Sequence, residues 1–491
     1  MNYNDGKWSN AKTVSPKLDK INAQEMPPIR RLQELAPKKV FKSRATGNWI
    51  VDFGQNIAGW VQITVNEKEG QVIEITPTEA LTQNGDNIYP GSTGGGANGM
   101  PQLLKYICKG GGIETWEPKF SYHGFRYVEI TGISEKPSSQ SIKAVLVAND
   151  VAEQGSFVCS DPLLNKMDTI SKWTIIDNGM GDWCPPRWDR RKNPVEMECH
   201  PVVSANAYFY DILGIMEYFA KMNQDKVFET KMRQEKAQLL DAFNKEYLTK
   251  IPLTTYEWYG SQTATVMALQ FGMVAEDKIK SVVKGLTYNI EAVKGGHHAT
   301  GIHGNRYIYT VLNKYGEADL AQQILTTPTF PSQTYVMNYG FTTWPERQFY
   351  WEEMEGLTNS LNHPMHSGFA AYFYESLGGI KATPEAPGYK EFTVNPIFQK
   401  AITHTAVEVP SPYGLIKNNW EITDGNFSMN LTIPFNTKAK VVLTPTKLKS
   451  LKINGATWAQ FQKTHKAAIM EDSVLSLGSG AYRIEYLMNE I

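Results

Sequence analysis

Apolar positions recur along the chain with two different periods, and the changes between them divide it into three parts. From residue 45 to 150, Val61, Ile63 and Val65 alternate with polar neighbours, and the same alternation recurs at 71–75, 125–130 and 141–147. A side-chain period of two belongs to a strand with one buried face. Short runs of this kind, bounded by Gly, Pro and Asn, predict an antiparallel sandwich. Near Ser160 the period lengthens to that of a helix. Ser160-Asp161-Pro162 offers a capping side chain and a proline for the first turn, and Leu239, Phe243 and Tyr247 fall on one helical face. The spacing predicts helices at 161–175, 202–222, 225–247, 261–273, 276–294, 303–314, 317–325 and 357–377. Beyond a Pro-rich hinge at Ala382–Gly388 the period of two returns, in Met429, Leu431 and Ile433 and again at 440–444, 451–453 and 482–486.

The predicted organisation is therefore multidomain β/α/β. A β-sandwich is expected over 45–155, a helical domain over 156–381 and a second β-sandwich over 382–491. Residues 1–44, which show little periodicity, read as the tail of a preceding β domain. Three or four domains is also what 491 residues suggest by length.

A hydrophobic content of 41% and a charged content of 20% are ordinary for a folded soluble protein, and a formal charge of -1 gives no reason to expect nucleic acid or an anionic membrane as a partner. No apolar run is long enough to cross a bilayer, and residues 1–20 hold no signal-peptide core. Cys108, Cys159, Cys184 and Cys199 have no metal-ligand spacing and read as buried thiols. The nine His form no H-E-x-x-H, so no metal is expected, and no G-x-S-x-G elbow suggests a serine hydrolase. The Gly-rich stretch 91–99 lacks the Lys-Ser/Thr ending of a phosphate loop. With 12 Trp, 24 Tyr and 20 Phe, the chain can line a cleft with rings on which the apolar faces of sugars stack.

Cleaving a glycosidic bond normally takes two carboxyl groups, one protonating the leaving oxygen and one activating water or attacking directly. Three clusters combine acids with Trp and His in the helical part. The first is Gly181-Asp182-Trp183-Cys184-Pro185-Pro186-Arg187-Trp188-Asp189, followed by Glu196-Met197-Glu198-Cys199-His200. The second is Tyr256-Glu257-Trp258-Tyr259-Gly260-Ser261-Gln262. The third runs from Thr342-Thr343-Trp344-Pro345-Glu346 through Trp351-Glu352-Glu353 to Ser360-Leu361-Asn362-His363-Pro364. Each residue taken singly also fits a bland role as a cap, an ion pair or a wet acidic face.

Through these clusters the chain resembles bacterial α-L-rhamnosidases of glycoside hydrolase family 78. The resemblance spans nearly the whole chain and includes AQEMPPIR (23–30), VDFGQNIAGWV (51–61), GDWCPP (181–186), GSQTA (260–264), FTTWPE (341–346), SLNHPM (360–365) and SPYGLIKNNW (411–420). It implies a carbohydrate-binding-like β-sandwich, an (α/α) toroid of six helical hairpins and a C-terminal β-sandwich. It also implies cleavage of terminal α-L-rhamnose from glycosides or polysaccharides with inversion, a rhamnose-containing saccharide as partner, and no cofactor. By the same resemblance Glu346 is the general base, although Pro345 stands where the family usually has Trp. Asp182 and His363 contact the sugar, and Trp183, Trp258, Trp344 and Trp351 are stacking walls.

One part of the family pattern is displaced. The family's acid sits in a string like Asp-Cys-Pro-x-Arg-(Asp/Glu)-Glu-x-x-Gly-Trp soon after the helix at 161–175. Here that helix runs directly into Asn178-Gly179-Met180-Gly181-Asp182-Trp183, a string that normally follows several helices later. Cys184-Pro185-Pro186-Arg187-Trp188-Asp189 resembles the acid string superficially, which would make Asp189 the acid, but no Gly-Trp follows it. Glu198 is near enough in sequence to approach the pocket. About eight predicted helices, against the twelve of six hairpins, agree with an incomplete toroid. Such a toroid is expected to expose apolar helix faces and to favour self-association. Loss of the acid would cost ~10²–10⁴ in rate. The alternative is a catalytically impaired carbohydrate-binding remnant of the family.

Overall fold

The computed structural model describes residues 6–10, 12–13, 27–89, 102–150, 156–174, 199, 201–350, 360–383, 386–444 and 448–488. The first domain is one antiparallel sheet of eight strands: β1 (Ile29–Leu35), β2 (Lys39–Lys42), β3 (Trp49–Val65), β4 (Val72–Thr78), β5 (Leu104–Ile107), β6 (Glu114–Trp116), β7 (His123–Thr131) and β8 (Ile142–Asn149). The long β3 is its spine. Its first half pairs with β2 and β7, its second half with β8 and β6. Val51, Phe53, Ile57, Val61 and Ile63 of this strand pack with Ile73, Ile75, Phe125, Val128 and Ile130 into one core. Between Asp52 and Ile57 the register with β7 shifts, and Gly54 takes a φ of 81°. Such a bulge kinks the strand and re-aims the side chains beside it. Here those side chains are Gln55 and Asn56.

Two boundaries differ from the expectation. β1 pairs with β8 from Ile29↔Asn149 to Leu35↔Ala144, and β2 pairs with β3, so residues 29–42 belong to this sheet and not to the tail of another domain. Residues 156–159, expected in the helical domain, form a strand, β9 (Ser156–Cys159), that pairs with His404–Ser411 of the last domain.

The helical domain contains α1 (Pro162–Thr174), α2 (Pro201–Met222), α3 (Lys226–Tyr247), α4 (Gln262–Gln270), α5 (Ile279–Tyr288), α6 (Ile302–Lys314), α7 (Ala318–Thr326) and α8 (Gln333–Asn338). α2 and α3 form a hairpin whose turn is closed by Asp225, its carboxylate accepting from the Phe228 N–H. α4 is buried from Gln262 to Leu269 and lies against α6. Gly304 permits that approach, since a β-carbon there would stand 2.3 Å from the Thr263 Oγ1. The single helix expected at 357–377 is instead a 3₁₀ turn at Pro364–Ala370 and a π turn at Phe373–Leu377 within its described part. α2 also carries an exposed apolar stripe of Phe209, Ile212, Ile215, Phe219 and Met222. None of the described helices is long and apolar enough to cross a membrane.

The last domain is a sandwich of a five-stranded and a seven-stranded sheet. Met429, Leu431 and Ile433 point inward as their alternation predicts. Trp420 and Asn418 bind this domain to the helices, the indole N–H donating to the Leu377 carbonyl at 2.8 Å and the Asn418 amide to that of Gly378 at 2.9 Å. Cys108, Cys159 and Cys199 are buried, and burial pushes the thiol of Cys159 up to about 12.

Candidate active site

Two loops at one end of the helical domain run side by side. The Glu346 N–H donates to the Ser360 carbonyl at 2.8 Å, and the His363 N–H donates to the Trp344 carbonyl at 2.7 Å. The Thr343 hydroxyl donates to the Leu361 carbonyl at 2.7 Å. This bracket explains why Pro345 is tolerated. Proline lacks only its own N–H, and the bracket uses the carbonyl before it and the N–H after it.

The bracket brings Glu346 and His363 together. Burial lowers the pKa of His363, while the negative charge of Glu346 acts the other way. Behind them lie two more imidazoles. Burial pushes His366 down to about 4 against the opposing pull of Glu346, and it pushes His298 down to about 3, with His366 and His297 adding to the effect. Both rings are therefore neutral at neutral pH. His298 is held by a 3.1 Å contact between its Nδ1 and the Thr300 Oγ1. The loop carrying it is fixed by Gln262, whose Oε1 accepts from the Ala299 N–H at 2.7 Å and whose Nε2 donates to the Asn289 Oδ1 at 3.0 Å.

Trp344, expected as a stacking wall, has a different place. It is 2% exposed and packs edge-on against Phe369 at a centroid distance of 5.4 Å, so it fills the core beneath the bracket. Trp258 is half-buried in a two-residue strand, Glu257–Trp258, that pairs with Thr249–Lys250. It leans on α5, where Gly285 comes so close that a β-carbon would lie 3.3 Å from the Trp258 Cβ. Glu257 beside it is paired with Lys278 at 2.8 Å. Asp182, Trp183, Asp189, Glu198 and Trp351 lie outside the described residues.

The first domain also reaches this site, which the sequence reading missed. At the β3 bulge the Asn56 N–H donates to the Thr342 Oγ1 at 2.9 Å, and the Gln55 side chain donates to the Thr342 carbonyl at 3.2 Å. Arg126, held on Asp52 through two hydrogen bonds, donates to the Gly340 carbonyl at 2.9 Å. Glu79 is half-buried at the same junction, and desolvation raises its pKa. A cavity of about 210 Å³ separates the two domains here, lined by Asn56, Glu79, Arg126, Tyr127, Phe341 and Thr342 among others. The available signal was Gly54-Gln55-Asn56 inside a strand pattern, since glycine in a strand interior often marks a bulge.

Three models of one family match in chain order. They are the bacterial α-L-rhamnosidase concanavalin-like domain over 42–148, the 6 hairpin glycosidase domain over 164–377 and the C-terminal domain over 379–456. The chain belongs to the bacterial α-L-rhamnosidase family. An α-L-rhamnosidase of Formosa agariphila is 51% identical over 613 residues, covering 99% of this chain and 64% of that protein. One from Streptomyces avermitilis is 24% identical, over 86% of this chain and 51% of that protein. The chain thus spans between half and two thirds of the length of these rhamnosidases. Two solved structures share the fold. An α-L-rhamnosidase from Dictyoglumus thermophilum has a TM-score of 0.84 at 22% identity, over 99% of this chain and 67% of that one. The Streptomyces avermitilis α-L-rhamnosidase, complexed with L-rhamnose, has a TM-score of 0.80 at 22% identity, over 95% of this chain and 54% of that one. A match running over 613 residues cannot be filled by a chain of 491, so more than a hundred positions of the Formosa rhamnosidase have no counterpart here.

Proposed function

We propose that this chain hydrolyses terminal α-L-rhamnose from glycosides or polysaccharides with inversion, Glu346 acting as general base. His363 contacts the sugar beside it, joined by Asp182 and by stacking from Trp183, Trp258 and Trp351. The observation that supports this reading is the bracket that holds Glu346 next to His363, in a family whose named relatives are α-L-rhamnosidases. An inverting mechanism needs water between the base and the anomeric carbon, with a second carboxyl on the leaving oxygen. Asp189 is the proposed acid.

The more than a hundred unmatched positions favour a second reading, in which the site binds rhamnose and turns it over poorly. One set of measurements separates the two. A nitrophenyl α-L-rhamnoside, whose leaving group needs protonation least, is assayed with wild type, Glu346→Gln and Asp189→Asn, and L-rhamnose binding is followed by calorimetry. Turnover that falls at least ~10²-fold in Glu346→Gln with rhamnose still bound is the expected result. Turnover that survives this change removes Glu346 as base. No turnover in wild type, with rhamnose bound, leaves the binding reading.

A further inference from the structure

We infer that Glu79, on the β domain, is a positioning residue for the loops that carry Glu346 and His363. Four groups form a closed ring across the domain junction. The Asn56 side-chain amide donates to the Glu79 Oε1 at 3.0 Å and to the Thr343 Oγ1 at 3.0 Å. The Thr343 hydroxyl donates to the Leu361 carbonyl at 2.7 Å, and the Leu361 N–H donates back to the Glu79 Oε2 at 3.0 Å. Both backbone groups of Leu361 are thereby fixed. Leu361 follows Ser360, whose carbonyl holds the Glu346 N–H, and precedes His363 by two residues. Register in the bracket thus depends on a residue 282 positions away in sequence.

The chemistry of the ring demands a carboxylate at this position. Each Glu79 oxygen faces an N–H donor, so the side chain must accept at both ends. A glutamine of the same shape offers one acceptor and one donor, so either an NH₂ meets an N–H or Asn56 must turn its own amide and give up its bond to Thr343, and the ring loses a link either way. Glu79 is half-buried beside the cavity, so a water can screen one end of the mismatch, and what remains is relieved by moving the loop. Aspartate is one methylene short and cannot span both donors. The ring tolerates no near-isostere, although Glu79 itself need not touch a substrate.

The placement of the loops does not depend on what they do, whereas the kinetic consequence rests on Glu346 being the base. The experiment reads the two separately. Hydrogen–deuterium exchange is followed in wild type and Glu79→Gln, in peptides covering 341–346, 360–366 and, as reference, the core strand segment 125–130. We expect at least ~10-fold faster exchange in the two loop peptides with the reference unchanged. Thr343→Val, which opens the ring from its other side, accelerates the same peptides, and the double variant adds little beyond either single change. On a nitrophenyl α-L-rhamnoside, kcat of Glu79→Gln falls ~10–100-fold, as a displacement of about 1 Å at a reacting group costs, while the pH profile keeps its shape because the titrating group is unaltered. Unchanged loop exchange overturns the inference. So does acceleration spread through 125–130, which marks general destabilisation. A wild type without turnover but with loop exchange that responds as expected refutes the functional reading alone.

Discussion

Lowering the pH from 7 to 5 tests the two buried imidazoles of His298 and His366. His298 and His366 titrate at about 3 and about 4 in the folded protein, chiefly through burial. An unfolded histidine titrates near 6.5. Between these values the unfolded chain binds protons that the folded chain refuses, so stability rises with pH across the window and is lost as pH falls through 6.5. At pH 7 the loss is negligible. By pH 5 each group has cost about 2 kcal/mol, or ~4 kcal/mol together, a large part of ordinary domain stability. His298→Asn keeps a polar atom near the position of Nδ1 and removes one titrating group. Its absolute stability falls, but that loss is the same at both pH values and cancels from the comparison. Urea unfolding at pH 7 and pH 5 should show the wild type losing about 2 kcal/mol more than the variant over that interval. The other histidines contribute equally to both proteins. An equal pH loss in the two would refute the burial of a neutral imidazole at this position.

Two further changes probe other parts of the molecule. Gly285→Ala drives a β-carbon to 2.1 Å from the Glu257 carbonyl oxygen. It should cost ~2–4 kcal/mol by urea midpoint, against the ~1 kcal/mol gain usual for removing a helix glycine. A rise in KM would accompany it if Trp258 stacks on the sugar. Phe219→Lys, on a residue 56% exposed, should change thermal stability by no more than about 0.5 kcal/mol in calorimetry, and a large loss would show that the ring is covered in solution.

Much of this was legible wherever one face of an element is buried and the other wet. α3 was found by period within a residue of its observed ends, and the alternating Met429, Leu431 and Ile433 lie in the strand Asn426–Ile433. β1 was missed because nearly all its residues are exposed, and a strand wet on both faces leaves no alternation to read. The helix expected over 357–377 failed for a different reason. Leu361, Phe369, Tyr372, Phe373 and Leu377 are buried, but Pro364 and the close-packed His366, Ser367 and Gly368 favour tighter and looser turns over a regular helix. At the site, Glu346 and His363 could be named because their strings are local. Asn56 and Glu79 could not. Their role lies in hydrogen bonds to Thr343 and Leu361, partners 287 and 282 residues away, and neither hydrophobic period nor composition registers such a partner. Trp344 shows the limit from the other side, since a tryptophan in a loop reads the same whether its ring faces a cleft or the core.

β9 has a consequence for how the chain is made. It is synthesised before the helical domain, yet the strand it pairs with, His404–Ser411, comes after it. The Ser160 N–H donates to the His404 carbonyl, and the Ser160 hydroxyl accepts from the Thr403 N–H, so the first residues of the helical domain are held by the last domain. At ~5–20 residues per second a ribosome takes on the order of 10–50 s to travel from one strand to the other. Throughout that interval β9 has both edges open, whereas in the folded sheet only its outer edge remains so, and an open edge can pair with any other strand it meets. A release before residue 404, by truncation or by stalling, would leave the inner edge, the one that His404–Ser411 covers, open for good. The pairing works like a clasp that cannot shut until the chain has been made through the helical domain and on to residue 411.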